Sequence, residues 1–144
     1  MKSTLFVYGT LLLNIESDIA NFLKSNAEFV GEGYLFGQLF DLGYYPGAIF
    51  RKDISSQVYG HVFELNQPSS TLPILDEYEA VGEQFGQYKE YVREKVPIEI
   101  EGEEILCWVY LYALPTDDFP LIGSGNYRDF LKNSPKHQEF IKSV

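Results

Sequence analysis

Alternation of apolar and polar residues predicts the first strands of the chain. QVYGHVFEL (57–65) alternates with period two, which places Val58 and Val62 on the face opposite Tyr59 and His61. TLFVY (4–8) is instead a short apolar run that is followed at once by a glycine, which is typical of a buried strand.

Two further strands are predicted in the second half of the chain. YKEYVREKVPIEI (88–100) alternates apolar and charged residues, whereas EILCWVYLYAL (104–114) is almost wholly apolar. Glu101 and Gly102 lie between them and form a hairpin signal. The two segments therefore form an antiparallel pair in this interpretation.

FVGEGYLFGQLFDL (29–42) is typical of one long strand that bends at its glycines. Such bends supply the curvature that closes small barrels, and the residues concerned are Gly31, Gly33 and Gly37. YYPGAIF (44–50) then indicates a turn into another strand, with Pro46 at its entry.

Apolar residues at helical spacing predict a short amphipathic helix over 14–24. A second helix begins near Pro68, runs through TLPILDEYEAV (71–81) and stops at Gly82. A turn-rich piece and a short terminal helix complete the chain. No internal repeat or linker is visible, so residues 1–144 are expected to form a single domain.

The order of these elements predicts the fold class. Roughly six strands and two to three helices do not alternate as βαβα, so a curved or barrel-like sheet fits better than a doubly wound one. We therefore predict an α+β fold in which a small, curved, barrel-like sheet, antiparallel or mixed, carries two to three flanking helices.

Charge and cysteine content narrow the possible roles. The 144 residues carry a formal net charge of -10, which repels nucleic-acid backbones and anionic membrane surfaces. No apolar stretch reaches the ~18 residues that span a bilayer. The single cysteine, Cys107, cannot form an internal disulfide and lies among apolar neighbours, which fits a buried thiol in a cytoplasmic protein.

Three acids in LDEYEAV (75–81) are the first candidates for chemistry. At about 100° per residue, Glu79 falls on the same side of the second helix as Leu72 and Leu75, whereas Glu77 points away and Asp76 lies at the border. A carboxyl held between leucines loses hydration, which raises its pKa towards the range of a general acid or base. A solvated or salt-bridged glutamate is the alternative.

The same helix carries Ile74 and Val81 on its far side, so the sequence assigns it no single apolar face.

FVYGTLL (6–12) is the second candidate for chemistry. It runs from a buried strand into Gly9, whose conformational freedom lets backbone N–H groups converge on an anion or a developing oxyanion. An ordinary turn gives the same pattern.

Tyr91, Arg93 and Lys95 share one face of their strand, where the arginine could pair with a substrate carboxylate or with a nearby acid. A solvated strand face with a surface ion pair is the alternative. His61 and His137 are far apart and lack metal-ligand spacing. No metal site is therefore expected.

Three motifs in this order, VYGTLL (7–12), LDEYEAV (75–81) and YVREKV (91–96), resemble the gamma-glutamylcyclotransferase-like superfamily. Three further segments support the resemblance across most of the chain: GQLFDLGYYPGAI, GHVFEL and SGNYRDF. It implies a small mixed barrel with external helices, no cofactor and a small-molecule gamma-glutamyl substrate. It also implies an enzyme that releases 5-oxoproline and an amine or amino acid.

The resemblance assigns roles to particular residues. It implies that Glu79 is the general acid/base and that the loop after the first strand binds the gamma-glutamyl group largely through its backbone; this loop comprises Tyr8, Gly9, Thr10 and Leu11. Tyr91 matches a ligand-contacting tyrosine of the family, and Arg93 matches the arginine of the same pattern.

The chain departs from the family pattern in two places. Ala80 stands where the family usually has glycine, and GEQFGQYKE (82–90) is long, so that Tyr88 is an alternative to Tyr91 at the pocket. These departures keep open a non-catalytic domain that binds small carboxylates. A third hypothesis, an enzyme with Asp76 and Glu79 as metal ligands, lacks further partners. The sequence is compatible with a monomer or a homodimer.

Overall fold

A computed structural model of the protein describes residues 3–9, 18–43, 45–78 and 91–142. Within these ranges it contains six strands and four short helices. The strands are β1 (Ser3–Val7), β2 (Ala27–Asp41), β3 (Pro46–Phe50), β4 (Gln57–Leu65), β5 (Tyr91–Ile100) and β6 (Glu103–Tyr112). The helices are α1 (Asp18–Asn26), α2 (Pro68–Tyr78), α3 (Tyr127–Leu131) and α4 (Pro135–Lys142).

The sheet closes on itself. Its strand order is β3-β2-β4-β1-β6-β5, and β2 also pairs with β5 through Tyr34 opposite Glu99 and Leu35 opposite Ile98. Five strands therefore form a barrel, and β3 extends it as an extra strand on β2. Because β1 and β6 run parallel while the other pairs are antiparallel, the predicted mixed, barrel-like α+β fold is confirmed.

Strand β2 spans 15 residues because it serves three neighbours. Its first part pairs with β4 and its last part with β3, with an irregularity between Phe29 and Gly31. A side chain on Gly37 would overlap the carbonyl oxygen of Ile49. The glycine thus permits the close approach of β3, in line with the curvature expected from the sequence.

The β5–β6 hairpin is confirmed. Its two turn residues, Glu101 and Gly102, have φ angles of 49° and 81°. Positive φ at both central positions is the geometry of a type I′ turn, whose twist matches that of the flanking strands.

Buried side chains form two layers. The barrel interior holds residues that include Phe6, Leu35, Val62 and Val109. An outer layer lies between the barrel and the helices α1 and α2; it includes Leu5, Val7, Leu23, Leu72, Leu75, Tyr91, Tyr110 and Tyr112. Alternate residues of β1 and β6 therefore contribute to both layers, as the pleat of a strand requires.

Ile74 of α2 is 45% exposed, which fits its predicted position on the far side of the helix from Leu72 and Leu75. The helices differ from the sequence prediction in two respects. The terminal helix is two helices, α3 and α4, because Pro135 opens a new first turn. Helix α1 extends to Asn26, and positions 14–17 lie outside the described residues. In the described part of the chain, no helix has the length and apolar character needed to cross a membrane.

Candidate active site at one end of the barrel

Strand directions bring the predicted site residues that the structure describes to one end of the barrel. β1 and β6 run parallel, so their carboxyl ends point the same way, and Tyr112 at the end of β6 pairs with Tyr91 at the start of β5. β2 ends at this same end, where Asp41 pairs with Pro46 of β3. Described parts of three distant segments therefore meet here: VYGTLL, GQLFDLGYYPGAI and YVREKV.

Pro46 links two of these motifs. Its carbonyl oxygen accepts a 2.6 Å hydrogen bond from the Tyr91 hydroxyl, which is buried. Its ring lies against Gly9, where an added Cβ would be only 3.2 Å from Pro46 Cγ. The glycine of the strand-1 loop and the tyrosine of β5 therefore contact opposite parts of one proline.

Tyr8 points into the barrel. Its hydroxyl donates to the carbonyl oxygen of Tyr110 at 2.6 Å and accepts from the backbone N–H of Ala48 at 3.2 Å. The side chain therefore anchors β1 to β6 and β3. Because the Tyr8 hydroxyl is engaged in this way, the groups that this end of β1 can present to a ligand are the backbone groups of Tyr8 and Gly9.

Arg93 pairs with an acid of the protein. Its Nε and Nη2 donate to the two carboxylate oxygens of Asp76 at 2.7 and 3.0 Å, and the Tyr110 hydroxyl donates to Asp76 Oδ1 at 2.8 Å. The guanidinium also lies 4.4 Å from the Trp108 ring centroid. We call Asp76, Arg93 and Tyr110 the arginine cluster.

The arginine cluster fixes helix α2 near its end. Both carboxylate oxygens of Asp76 accept charge-assisted or hydroxyl hydrogen bonds, and a two-point contact defines orientation as well as distance. A cationic partner also makes Asp76 a poor ligand for a metal ion, which argues against the metal hypothesis. Among the described residues, no group of three His, Cys, Asp or Glu side chains is placed to hold a metal.

The helical wheel of α2 is confirmed as far as the helix is described. Leu72 and Leu75 are 7% and 0% exposed, Asp76 is half-buried and Glu77 is exposed. Glu79 follows directly after the last described residue of α2 and lies outside the described residues, as do Thr10, Leu11, Ala80 and Tyr88. The roles of these residues stay predictions.

Sequence reasoning missed a second polar cluster at the same end. His137 of α4 is fully buried, with Nε2 2.7 Å from Asp41 Oδ1 and Nδ1 2.8 Å from the Tyr127 hydroxyl. We call these three residues the histidine cluster. Its histidine and aspartate are 96 positions apart, so no local motif announces their contact.

The other histidine lies on the outer face of the barrel, in a third group of polar residues. The Tyr59 hydroxyl donates to Glu32 Oε1 at 2.9 Å and lies 3.2 Å from His61 Nε2. Burial lowers the pKa of His61, with help from the positive charge of Arg128. Burial and the Glu32 hydrogen bond raise the pKa of Tyr59.

The single thiol is buried, as predicted. Burial raises the pKa of Cys107, and the opposing hydrogen bond from Thr4 is the smaller effect. A buried thiol with a raised pKa is a poor nucleophile, so it offers no chemistry to the site.

Sequence comparison shows which protein family the chain matches. Residues 5–129 match the family model described as gamma-glutamyl cyclotransferase, AIG2-like. The chain is 29% identical over 126 residues to the gamma-glutamylcyclotransferase family protein YtfP of Escherichia coli strain K12, covering 87% of this chain and 96% of that protein.

Solved structures are similar over most of the chain. The solution structure of ytfP from Escherichia coli has a TM-score of 0.59 at 28% identity and covers 88% of this chain and 97% of that one. The crystal structure of an aig2-like protein from Mus musculus has a TM-score of 0.64 at 21% identity, covering 85% and 87% of the two chains, and therefore supports the fold alone.

Proposed function

The chain belongs to the gamma-glutamyl cyclotransferase, AIG2-like family, and we propose that it cyclises a gamma-glutamyl compound to 5-oxoproline. In this reaction the α-amine of the substrate attacks its own γ-carbonyl carbon. A C–N bond closes the five-membered lactam, and the bond to the departing amine or amino acid breaks. Neither a cofactor nor a covalent enzyme intermediate enters this scheme.

Glu79 is the proposed general acid/base. An α-ammonium group has a reference pKa of about 8 and is no nucleophile while protonated. Glu79 would take one proton from the attacking amine and return it to the leaving amine. The buried Leu72 and Leu75, together with the fixed Asp76, support this assignment because they orient the face of α2 on which Glu79 falls by helical periodicity.

The loop after β1 is the proposed site for the gamma-glutamyl group. Backbone amides near Gly9 would stabilise the oxyanion of the tetrahedral intermediate, with Thr10 and Leu11 continuing the same loop. The convergence of Gly9, Pro46 and Tyr91 is the observation that carries the proposal. It joins the first and third motifs of the family pattern in one wall.

Tyr91 and Arg93 take supporting roles in this proposal. Tyr91 would line the pocket with its ring, because its hydroxyl holds the Pro46 carbonyl. Arg93 would act through Asp76 by fixing the end of α2, since its Nε and Nη2 are engaged there.

A panel of gamma-glutamyl-amines and gamma-glutamyl-amino acids tests the activity. We expect 5-oxoproline from at least one member and a fall in kcat of about 10²- to 10⁴-fold in Glu79→Gln. Glu77→Gln is the matched control, because Glu77 is two positions away and exposed, and its rate should stay unchanged. Turnover that survives Glu79→Gln would refute the assignment.

A binding domain without turnover is the competing function, favoured by the engagement of Tyr91 and Arg93 within the protein. In that case 5-oxoproline or a gamma-glutamyl-amine would raise the melting temperature with no product formed. Product formation by the wild type would exclude it.

A further inference from the structure

We propose that His137 is a positioning residue for the candidate active site, acting through Asp41 and Pro46. This inference rests on the proposed function for its link to catalysis, but its structural part does not. His137 lies beyond residues 5–129, the part of the chain that the family model matches. Membership of the family therefore assigns it no role.

The imidazole of His137 is held on both nitrogens. Because a carboxylate only accepts, Nε2 carries the proton and donates to Asp41, while Nδ1 faces the Tyr127 hydroxyl. The ring also packs edge-on against Phe130, with 5.0 Å between centroids. A fully buried ring with these three contacts has one orientation, so it can fix the position of Asp41.

Asp41 in turn shapes the turn between β2 and β3. The oxygen that accepts from His137, Oδ1, also accepts the backbone N–H of Gly43 at 2.8 Å. The turn is closed by a 3.0 Å hydrogen bond from Leu42 N–H to the Tyr45 carbonyl. Because Asp41 pairs directly with Pro46, fixing its side chain fixes the start of β3.

Pro46 completes the path to the site. Its ring packs against Gly9 and its carbonyl oxygen accepts from Tyr91. Tyr45, the preceding residue, places its ring 6.3 Å from that of Tyr91. A shift of the turn would therefore displace both Gly9 and Tyr91. Helix α4 thus acts on the candidate site from outside it.

Three substitutions distinguish a displacement of the candidate site from a general loss of protein stability. In His137→Gln the amide nitrogen reaches the place of Nε2 and can still donate to Asp41. In His137→Asn the shorter amide lies near Nδ1 and can keep only the Tyr127 contact. Tyr127→Phe keeps the contact with Asp41 and loses the other. His61→Asn, on the outer face of β4, is the matched control.

Kinetics with the most active member of the gamma-glutamyl panel give the first readout. We expect KM to rise about tenfold in His137→Asn, with a smaller change in kcat, because a displaced binding wall weakens substrate positioning. His137→Gln and His61→Asn should keep the wild-type KM. Tyr127→Phe should raise KM less than His137→Asn does, even where it lowers the melting temperature as much, because the His137 imidazole keeps the hydrogen bond to Asp41.

Backbone amide signals of Gly9 and Gly43 in ¹⁵N–¹H spectra give a readout that needs no turnover. Both signals should move in His137→Asn and stay in place in His137→Gln. If KM and both signals follow the melting temperature across all variants, or do not move in a folded His137→Asn, the positioning role is overturned. If the panel yields no product, the proposed function fails, and the amide signals still decide the path from His137 to Gly9.

Discussion

The arginine cluster and the histidine cluster combine an aspartate, a base and a tyrosine at one end of the barrel, but they differ in the burial of the base. The side chain of Arg93 is 22% exposed and that of His137 is 0% exposed, whereas Asp76 and Asp41 are similarly exposed, at 20% and 24%. Arginine stays charged and needs either water or several acceptors, while histidine can be neutral with one donor and one acceptor. The depth of each position therefore suits the base found there.

The tyrosine also occupies a different place in each cluster. Tyr110 bonds to the carboxylate of Asp76, and so adds a third donor to the acid. Tyr127 bonds to the ring of His137, and so fixes the base. One cluster is organised around its acid and fixes a helix end, and the other is organised around its base and fixes a turn.

Truncating His137 or Arg93 should have the largest effects on stability, and the difference between the two variants tests the comparison. His137→Ala removes a fully buried ring and leaves the Tyr127 hydroxyl and Asp41 without this partner, so we expect a loss of about 3–5 kcal/mol in the free energy of unfolding.

Arg93→Ala should cost less, about 1–3 kcal/mol, because Arg93 is itself partly exposed and its removal leaves no fully buried cavity. Urea denaturation of both variants measures the difference. Glu104→Ala is the control, since its ion pair with Lys52 is exposed and should contribute little. Equal losses for the two bases would mean that burial does not separate the clusters.

Removing the two tyrosine hydroxyls sharpens the comparison. Tyr127→Phe takes away the group that faces buried Nδ1, and we expect a loss of about 1–2 kcal/mol. Tyr110→Phe should cost about 0.5–1 kcal/mol, because both carboxylate oxygens of Asp76 keep their bonds to Arg93. Thermal denaturation of the two variants tests this order of losses. A larger loss in Tyr110→Phe than in Tyr127→Phe would contradict the view that one cluster is organised around Asp76 and the other around His137.

The smallest effect on stability is expected for the third polar group, which surrounds His61. The lowered pKa of His61 means that the folded state binds fewer protons than the unfolded state. The contribution of His61 to stability is therefore fully present above about pH 6.5 and falls as the pH drops below it. His61→Gln should change stability at pH 7 by no more than about 0.5 kcal/mol.

The same substitution should reduce the loss of melting temperature between pH 7 and the acid range, because Gln does not titrate. Melting curves across this range, wild type against variant, provide the measurement. An unchanged or steeper acid loss in the variant would contradict the lowered pKa.

Local features of the fold were predictable because short stretches of sequence encode them. The Glu101-Gly102 turn required positive φ at two adjacent positions, and both angles are positive. Strand β4 runs over 57–65 as its alternation predicted. Ile74 was harder to place, because an exposed apolar residue and a second buried face give the same pattern on a wheel.

The candidate site was predictable only in part. Sequence left Arg93 with two possible partners, a substrate carboxylate or an acid of the protein. The choice of Asp76 depends on how α2 packs over the outer faces of β5 and β6, which no residue spacing specifies. The family resemblance supplied the role of Glu79, which stays a prediction.

The sequence by itself determined the strands, the hairpin, the α+β class and the motifs that mark the family. Periodicity and turn chemistry depend on neighbours within a few positions, so they can be found along the chain. Only the tertiary structure decided that Gly9 and Tyr91 share Pro46 and that His137 bonds to Asp41. Those contacts arise from barrel closure and from the packing of α4, which join residues far apart in sequence.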